Sequence, residues 1–156
     1  MDLASFKKND VLLELLKAAS VPIHVGLSYE LDDKETVDKL HDRLVEKNLS
    51  VWIETENLSK QGIGKCKVVV VFVSEKYESS DNCIRQLKYV DEKMIPMIVI
   101  RTDGDFEPNE GGAMSIILSG TSKPHLLTGA DDEAFDKVVS VIVDKVEKEK
   151  KEKDEE

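Results

Sequence analysis

The sequence predicts an α/β fold: an open parallel sheet with helices on both faces. Strand-like and helix-like segments alternate along the 156 residues, the order that yields parallel strands joined by crossovers. The two plainest strands, in 67–73 and 95–100, are continuous apolar runs with no polar alternation. Such strands need both faces covered, as in the middle of a parallel sheet. Between them, 81–93 carries Cys83, Leu87, Val90 and Met94 as one helical stripe.

Taken in order, residues 10–19 read as a short helix, capped by Asn9 or Asp10 and stopped before Pro22. Val21 to Leu27 follows as a strand and 28–33 as a loop. Asp32 with Glu35 three residues on predicts a capping box. Val37, Leu40, Leu44 and Val45 then fall at helical spacing, giving an amphipathic helix over 33–47. Val51-Trp52-Ile53 is a short strand. The stretch 101–124, rich in Gly, Asp and Ser, is mostly loop around Met114 to Leu118. Phe135, Val138, Val139, Ile142 and Val146 mark a last helix. The organisation expected is an N-terminal helical extension (1–20), one domain (21–146) and a charged Lys/Glu tail (147–156) that lengthens the last helix into solvent or frays.

Charge narrows the function. Against 32 Asp+Glu stand 22 Lys+Arg, a net charge of −10. That field repels phosphate backbones, so no nucleic-acid partner is expected. The longest apolar run, Val68 to Val73, is far short of the roughly 18 residues of a membrane span. The first residues lack the order of basic, apolar and small groups that marks a signal peptide. Two cysteines without an export signal predict free thiols and a cytoplasmic location. The acceptor patterns at Asn48-Leu49-Ser50 and Asn57-Leu58-Ser59 are then chance matches.

In open parallel sheets ligands gather at the carboxyl ends of the strands, beside a switch in strand order. Those ends are expected at Ser28-Tyr29, Glu54-Thr55, Ser74-Glu75 and Arg101-Thr102. Gly62-Ile63-Gly64-Lys65-Cys66 is a poor phosphate loop, since it lacks Ser/Thr after Lys and runs into a strand. Asp32-Asp33 resembles the acidic pocket of a response-regulator receiver, but Ser74 stands where a receiver needs Asp. The histidines (24, 41, 125) and cysteines (66, 83) show no zinc spacing, so no metal is expected. Nor does sequence proximity assemble a nucleophile with its base. Trp52 reads first as a packing residue at a sheet end, and second as an aromatic platform beside a ligand. Ser79-Ser80-Asp81-Asn82 reads as a helix-capping cluster.

A family resemblance rests on motifs in series. Ile23-His24-Val25-Gly26-Leu27-Ser28-Tyr29 resembles the first box of Toll/interleukin-1 receptor (TIR) domains. Leu49-Ser50-Val51-Trp52-Ile53-Glu54 is similar to their G-x-x-V-W-x-D second strand. Val68 to Tyr77, then Ser80, Asn82 and Cys83, resembles their third strand and the S-x-x-Y-x-x-S-x-x-C run after it. Ile95-Pro96-Met97-Ile98 stands where the fourth strand belongs, and Phe106-Glu107-Pro108 and Ser115 to Gly120 resemble invertebrate members most.

The resemblance implies a flavodoxin-like, five-strand parallel sheet and one of two activities. Many TIR domains are signalling scaffolds that assemble with other TIR domains. Others cleave the nicotinamide–ribose bond of NAD with a Glu three residues after the motif Cys. In this chain that position is Gln86, a residue that some adaptor TIR domains also carry there. The cleavage builds positive charge on the ribose, which a fixed carboxylate stabilises and an amide does not. A second departure is length: 15 residues separate Trp52 from Val68, about two helical turns fewer than the family places there. The second helix is therefore expected to be shortened or missing. The resulting expectation is a signalling module working by homotypic or heterotypic TIR–TIR assembly, through Ser59, Lys60, Gln61, Gly62 and Arg85, with no cofactor. The alternative is an NAD glycohydrolase, or an NAD-binding relative, whose pocket is lined by Tyr29, Trp52, Ser74, Cys83 and Gln86.

Overall fold

Four consecutive valines followed by Phe72-Val73 have only one comfortable place in a folded chain, the middle of a covered sheet. The computed structural model, which describes residues 23–53, 66–121, 123–127 and 132–154, puts β3 (Cys66–Val73) there. On one side lies β1 (Ile23–Ser28), and beyond it β2 (Val51–Ile53). On the other lie β4 (Met97–Arg101) and β5 (His125–Leu126). The order is β2-β1-β3-β4-β5, and every pair is parallel. The α/β class and the five-strand parallel sheet expected from the sequence are both present.

Helices α1 (Lys34–Glu46) and α5 (Asp132–Asp154) cover one face. Val37, Leu40 and Leu44 of α1 and Phe135, Val138, Val139, Ile142 and Val146 of α5 pack there on Val25, Leu27, Val68, Val70, Phe72 and Ile100. The other face is covered by the short α2 (Glu75–Ser79), α3 (Asp81–Glu92) and α4 (Ala113–Leu118). Their Tyr77, Cys83, Leu87, Val90 and Met114 meet Val69, Val71, Val73 and Val99. The period-two alternation of β3 thus feeds two separate apolar layers. On the second face Gly26 is required by packing, since a Cβ there would sit 2.6 Å from Cys66 Sγ.

The structure corrects several local expectations. Residues 31–33 form a 3₁₀ turn whose Asp32 N–H is bonded by the Glu30 carboxylate. The Asp32–Glu35 capping box is therefore not made: Asp33 precedes α1 without a side-chain cap bond, and the Asp32 carboxylate pairs with Lys76. Val45, one step round the helix from Leu44, is exposed. Met94 leaves the expected α3 stripe because the helix ends at Glu92 and Met94 adopts φ +58°, which turns its side chain out to 87% exposure. The two-residue β5 had no pattern of its own in the sequence. The leading helix at 10–19, the shortened second helix, and Ser59, Lys60, Gln61 and Gly62 lie outside the described residues. Among the described residues no helix is long and apolar enough to cross a membrane.

Candidate functional site

From β1 the chain moves outward to β2, and then returns to place β3 on β1's other side. The carboxyl ends of β1 and β3 therefore border the switch in strand order, the place where such sheets hold ligands. Ser28 closes β1 there, paired in register with Val71. Two residues on from Gly26, it shares Gly26's face of the sheet, towards α3.

Among the described residues Ser28 is the polar exception in the buried core, 1% exposed. Its Oγ lies 2.8 Å from the Tyr77 hydroxyl and donates to Gln86 Oε1 at 2.7 Å. Both partners are fixed by caps. The Ser74 hydroxyl accepts from Tyr77 N–H at 3.1 Å and starts α2. The Ser80 hydroxyl accepts from Cys83 N–H at 3.2 Å and starts α3. Gln86 adjoins Leu87 at the margin of the buried α3 stripe and is half-buried. That margin is where an amide can keep one end in the core and the other towards solvent. Burial pushes the Tyr77 phenol well above its ordinary range, against the opposing pull of the Ser28 bond. Tyr77 is accordingly a neutral hydroxyl at any physiological pH.

The sequence-derived candidates divide. Gln86 sits in this network. Cys83 is beside it with Sγ 3.6 Å from the Tyr29 carbonyl oxygen, and burial raises its thiol, as it raises Cys66 to about 12. Neither is a thiolate nucleophile at neutral pH. Trp52 packs with the same α3-side layer, and its Nε1 is enclosed without a partner among the described residues. Tyr29 projects the other way, into the α1/α5 layer, with its hydroxyl likewise enclosed and its pKa raised first by burial and then by Asp38. Ser74 has its hydroxyl committed to the α2 cap. Arg85 is exposed on α3, at a cavity of about 450 Å³ shared with Glu78, Lys88 and Asn109.

Sequence reasoning missed Ser28 and Tyr77 as site residues. The signals were present: Ser28 stands at a predicted strand end, and Tyr77 is the Tyr of the S-x-x-Y run. The acidic pair behaves differently from a receiver pocket. Asp32 is matched by Lys76, while Asp33 is bonded to Thr102 across the end of β3. Burial first, then Asp32 and Glu30, raise the Asp33 carboxyl against that bond. No group of ligating side chains among the described residues could hold a metal ion. Chemically, the Tyr77–Ser28–Gln86 network supplies hydrogen bonds and no fixed negative charge, so it lacks the feature that stabilises a developing cation.

Comparison with known proteins accords with this architecture. The structure is similar to the TIR domain of the Toll-related receptor TRR-2 from the lower metazoan Hydra magnipapillata, with TM-score 0.54 and 14% identity, covering 76% of this chain and 96% of that one. It is also similar to the TIR domains in the activated Roq1 resistosome that directly recognises the pathogen effector XopQ, with TM-score 0.47 and 20% identity over 80% of this chain and 83% of that one. No curated protein matches the chain. The family model described as TIR domain matches residues 25–139, most of the sequence, and with the parallel sheet and the Ser28–Tyr77–Gln86 network in view the chain belongs to the TIR domain family.

Proposed function

We propose that this protein is a signalling module that acts by assembling with TIR domains, its own copies or others, without cleaving NAD. The observation that supports this reading is the amide at position 86. Where a TIR glycohydrolase would use a carboxylate against positive charge on the ribose, this chain has Gln86, with Oε1 already engaged by Ser28. Losing one such electrostatic partner commonly costs on the order of 10²–10³ in rate. Immunity and signalling in the cytoplasm fit the family, and assembly would use exposed charge such as Arg85 on α3.

Light scattering over a concentration series of the purified chain tests the assembly. Wild type should gain mass with concentration, and Arg85→Glu should shift that gain to higher concentration while circular dichroism stays unchanged. A monomer at every concentration that also binds no TIR domain offered to it would refute the reading. A second reading, a dormant NAD glycohydrolase, is favoured by one feature: the Ser28 hydroxyl still holds an acceptor at position 86. Nicotinamide release gained by Gln86→Glu would support it, and no gain would count against it.

A further inference from the structure

Around Ser28 the positions of the hydrogens are constrained as well as the distances. Tyr77 is fully buried and its hydroxyl has Ser28 Oγ as its neighbour at 2.8 Å. Either oxygen of that pair can donate. If Gln86 turned its Nε2 towards Ser28, Ser28 would either donate to Tyr77 and strand the Tyr77 hydrogen, or accept from both neighbours and strand its own. Either arrangement carries the full desolvation penalty of an unmade bond. In the opposite order, Tyr77 donates to Ser28, Ser28 donates to Gln86 Oε1 at 2.7 Å, and every hydrogen in the chain of bonds has a home. The Gln86 Nε2 then carries two hydrogens with no partner among the described residues, on a half-buried side chain.

We propose that Tyr77 and Ser28 are positioning residues for position 86: they require an acceptor there, hold Gln86 Oε1 inward, and leave the Nε2 as a hydrogen-bond donor at the switch point. Position 86 therefore presents the reverse polarity of a carboxylate, and an oxygen acceptor on a group bound there would meet it. The same wiring accepts a carboxylate at position 86 without rearrangement, because Ser28 needs only an oxygen to donate to. A side chain without an acceptor breaks it, since the Ser28 hydrogen is then stranded.

A substitution series with two readouts tests this. At neutral pH, Gln86→Glu should unfold within about 2 °C of wild type, whereas Gln86→Leu should lose roughly 3–8 °C. Carbon-13 detection of the carboxyl introduced by Gln86→Glu gives the second readout. Its pKa should rise by about one unit, tenfold in proton affinity, when Ser28→Ala removes the donor. Ser28→Cys, of similar size and a weak donor, should give an intermediate rise and serves if the alanine variant does not fold. Gln86→Leu as stable as wild type, or a carboxyl pKa indifferent to both Ser28 variants, would overturn the proposal. Neither readout involves association or NAD, so this wiring and the assembly reading stand or fall separately.

Discussion

The two faces of the sheet are built on different physics. On the α1/α5 face the contacts inside are apolar apart from the enclosed Tyr29 hydroxyl, and the polar contacts sit at the rim. There Arg43 donates to Asp132 at 2.6 Å and to Asp136 at 2.8 Å, while Lys39 and Arg43 lie 4.6 and 5.0 Å from the centre of the Phe135 ring. On the α3 face a polar network is carried inside, where Ser28 and Tyr77 bond each other in the core and reach out to Gln86. The first face is tolerant, because burial is non-directional and exposed ion pairs are screened. The second is specific, since one misplaced donor leaves a buried group unpaired. The difference teaches where to look for function: the directional, costly arrangement is at the switch point, and the forgiving one holds the sheet together.

Four substitutions break or sharpen this contrast. Phe72→Ala, in the centre of the α1/α5 layer, should cost about 3–5 kcal/mol in urea unfolding, through lost burial and the cavity left behind. Ser28→Ala removes a single oxygen from the other face, yet should cost about 1–3 kcal/mol by orphaning the Tyr77 hydroxyl. A loss no larger than that of an exposed Ser→Ala control would erase the contrast. Arg43→Ala should cost about 1 kcal/mol or less, and the loss should shrink in high salt, because its Asp partners are exposed.

The smallest effect belongs to Asp33. Burial raises its carboxyl above the ordinary value of 3.8 in the folded state, so the native protein holds that proton more tightly than the unfolded chain does. Stability then falls as pH rises from 3.8 through the raised value, and the penalty persists at neutral pH. Asp33→Asn should therefore be slightly more stable than wild type at neutral pH, with the advantage vanishing below 3.8. A difference that grows in acid would reverse the sign assigned to its burial.

The sequence showed its layers far better than its network. Val68 to Val73 and the stripe Cys83–Leu87–Val90 announce burial by composition and period, which act locally. The β5 pair His125–Leu126 has no such pattern; it is a strand only because the edge of β4 is beside it. Met94 failed as a stripe residue because the end of a helix is set by a single backbone dihedral. At the site, the motif spacing led to Gln86, but Ser28 lies 58 residues away and contacts it only through the β1–β3 pairing. Tyr29 and Ser74 illustrate the converse. Both stand at strand ends, yet one points into the opposite layer and the other caps α2.

The account turns on Gln86, and nicotinamide release from NAD by the purified wild-type chain at high concentration tests it most directly. The amide predicts no release above a protein-free control, with the fold intact by circular dichroism. Release that disappears on Gln86→Ala would contradict the account and make the amide a working part of a catalytic site.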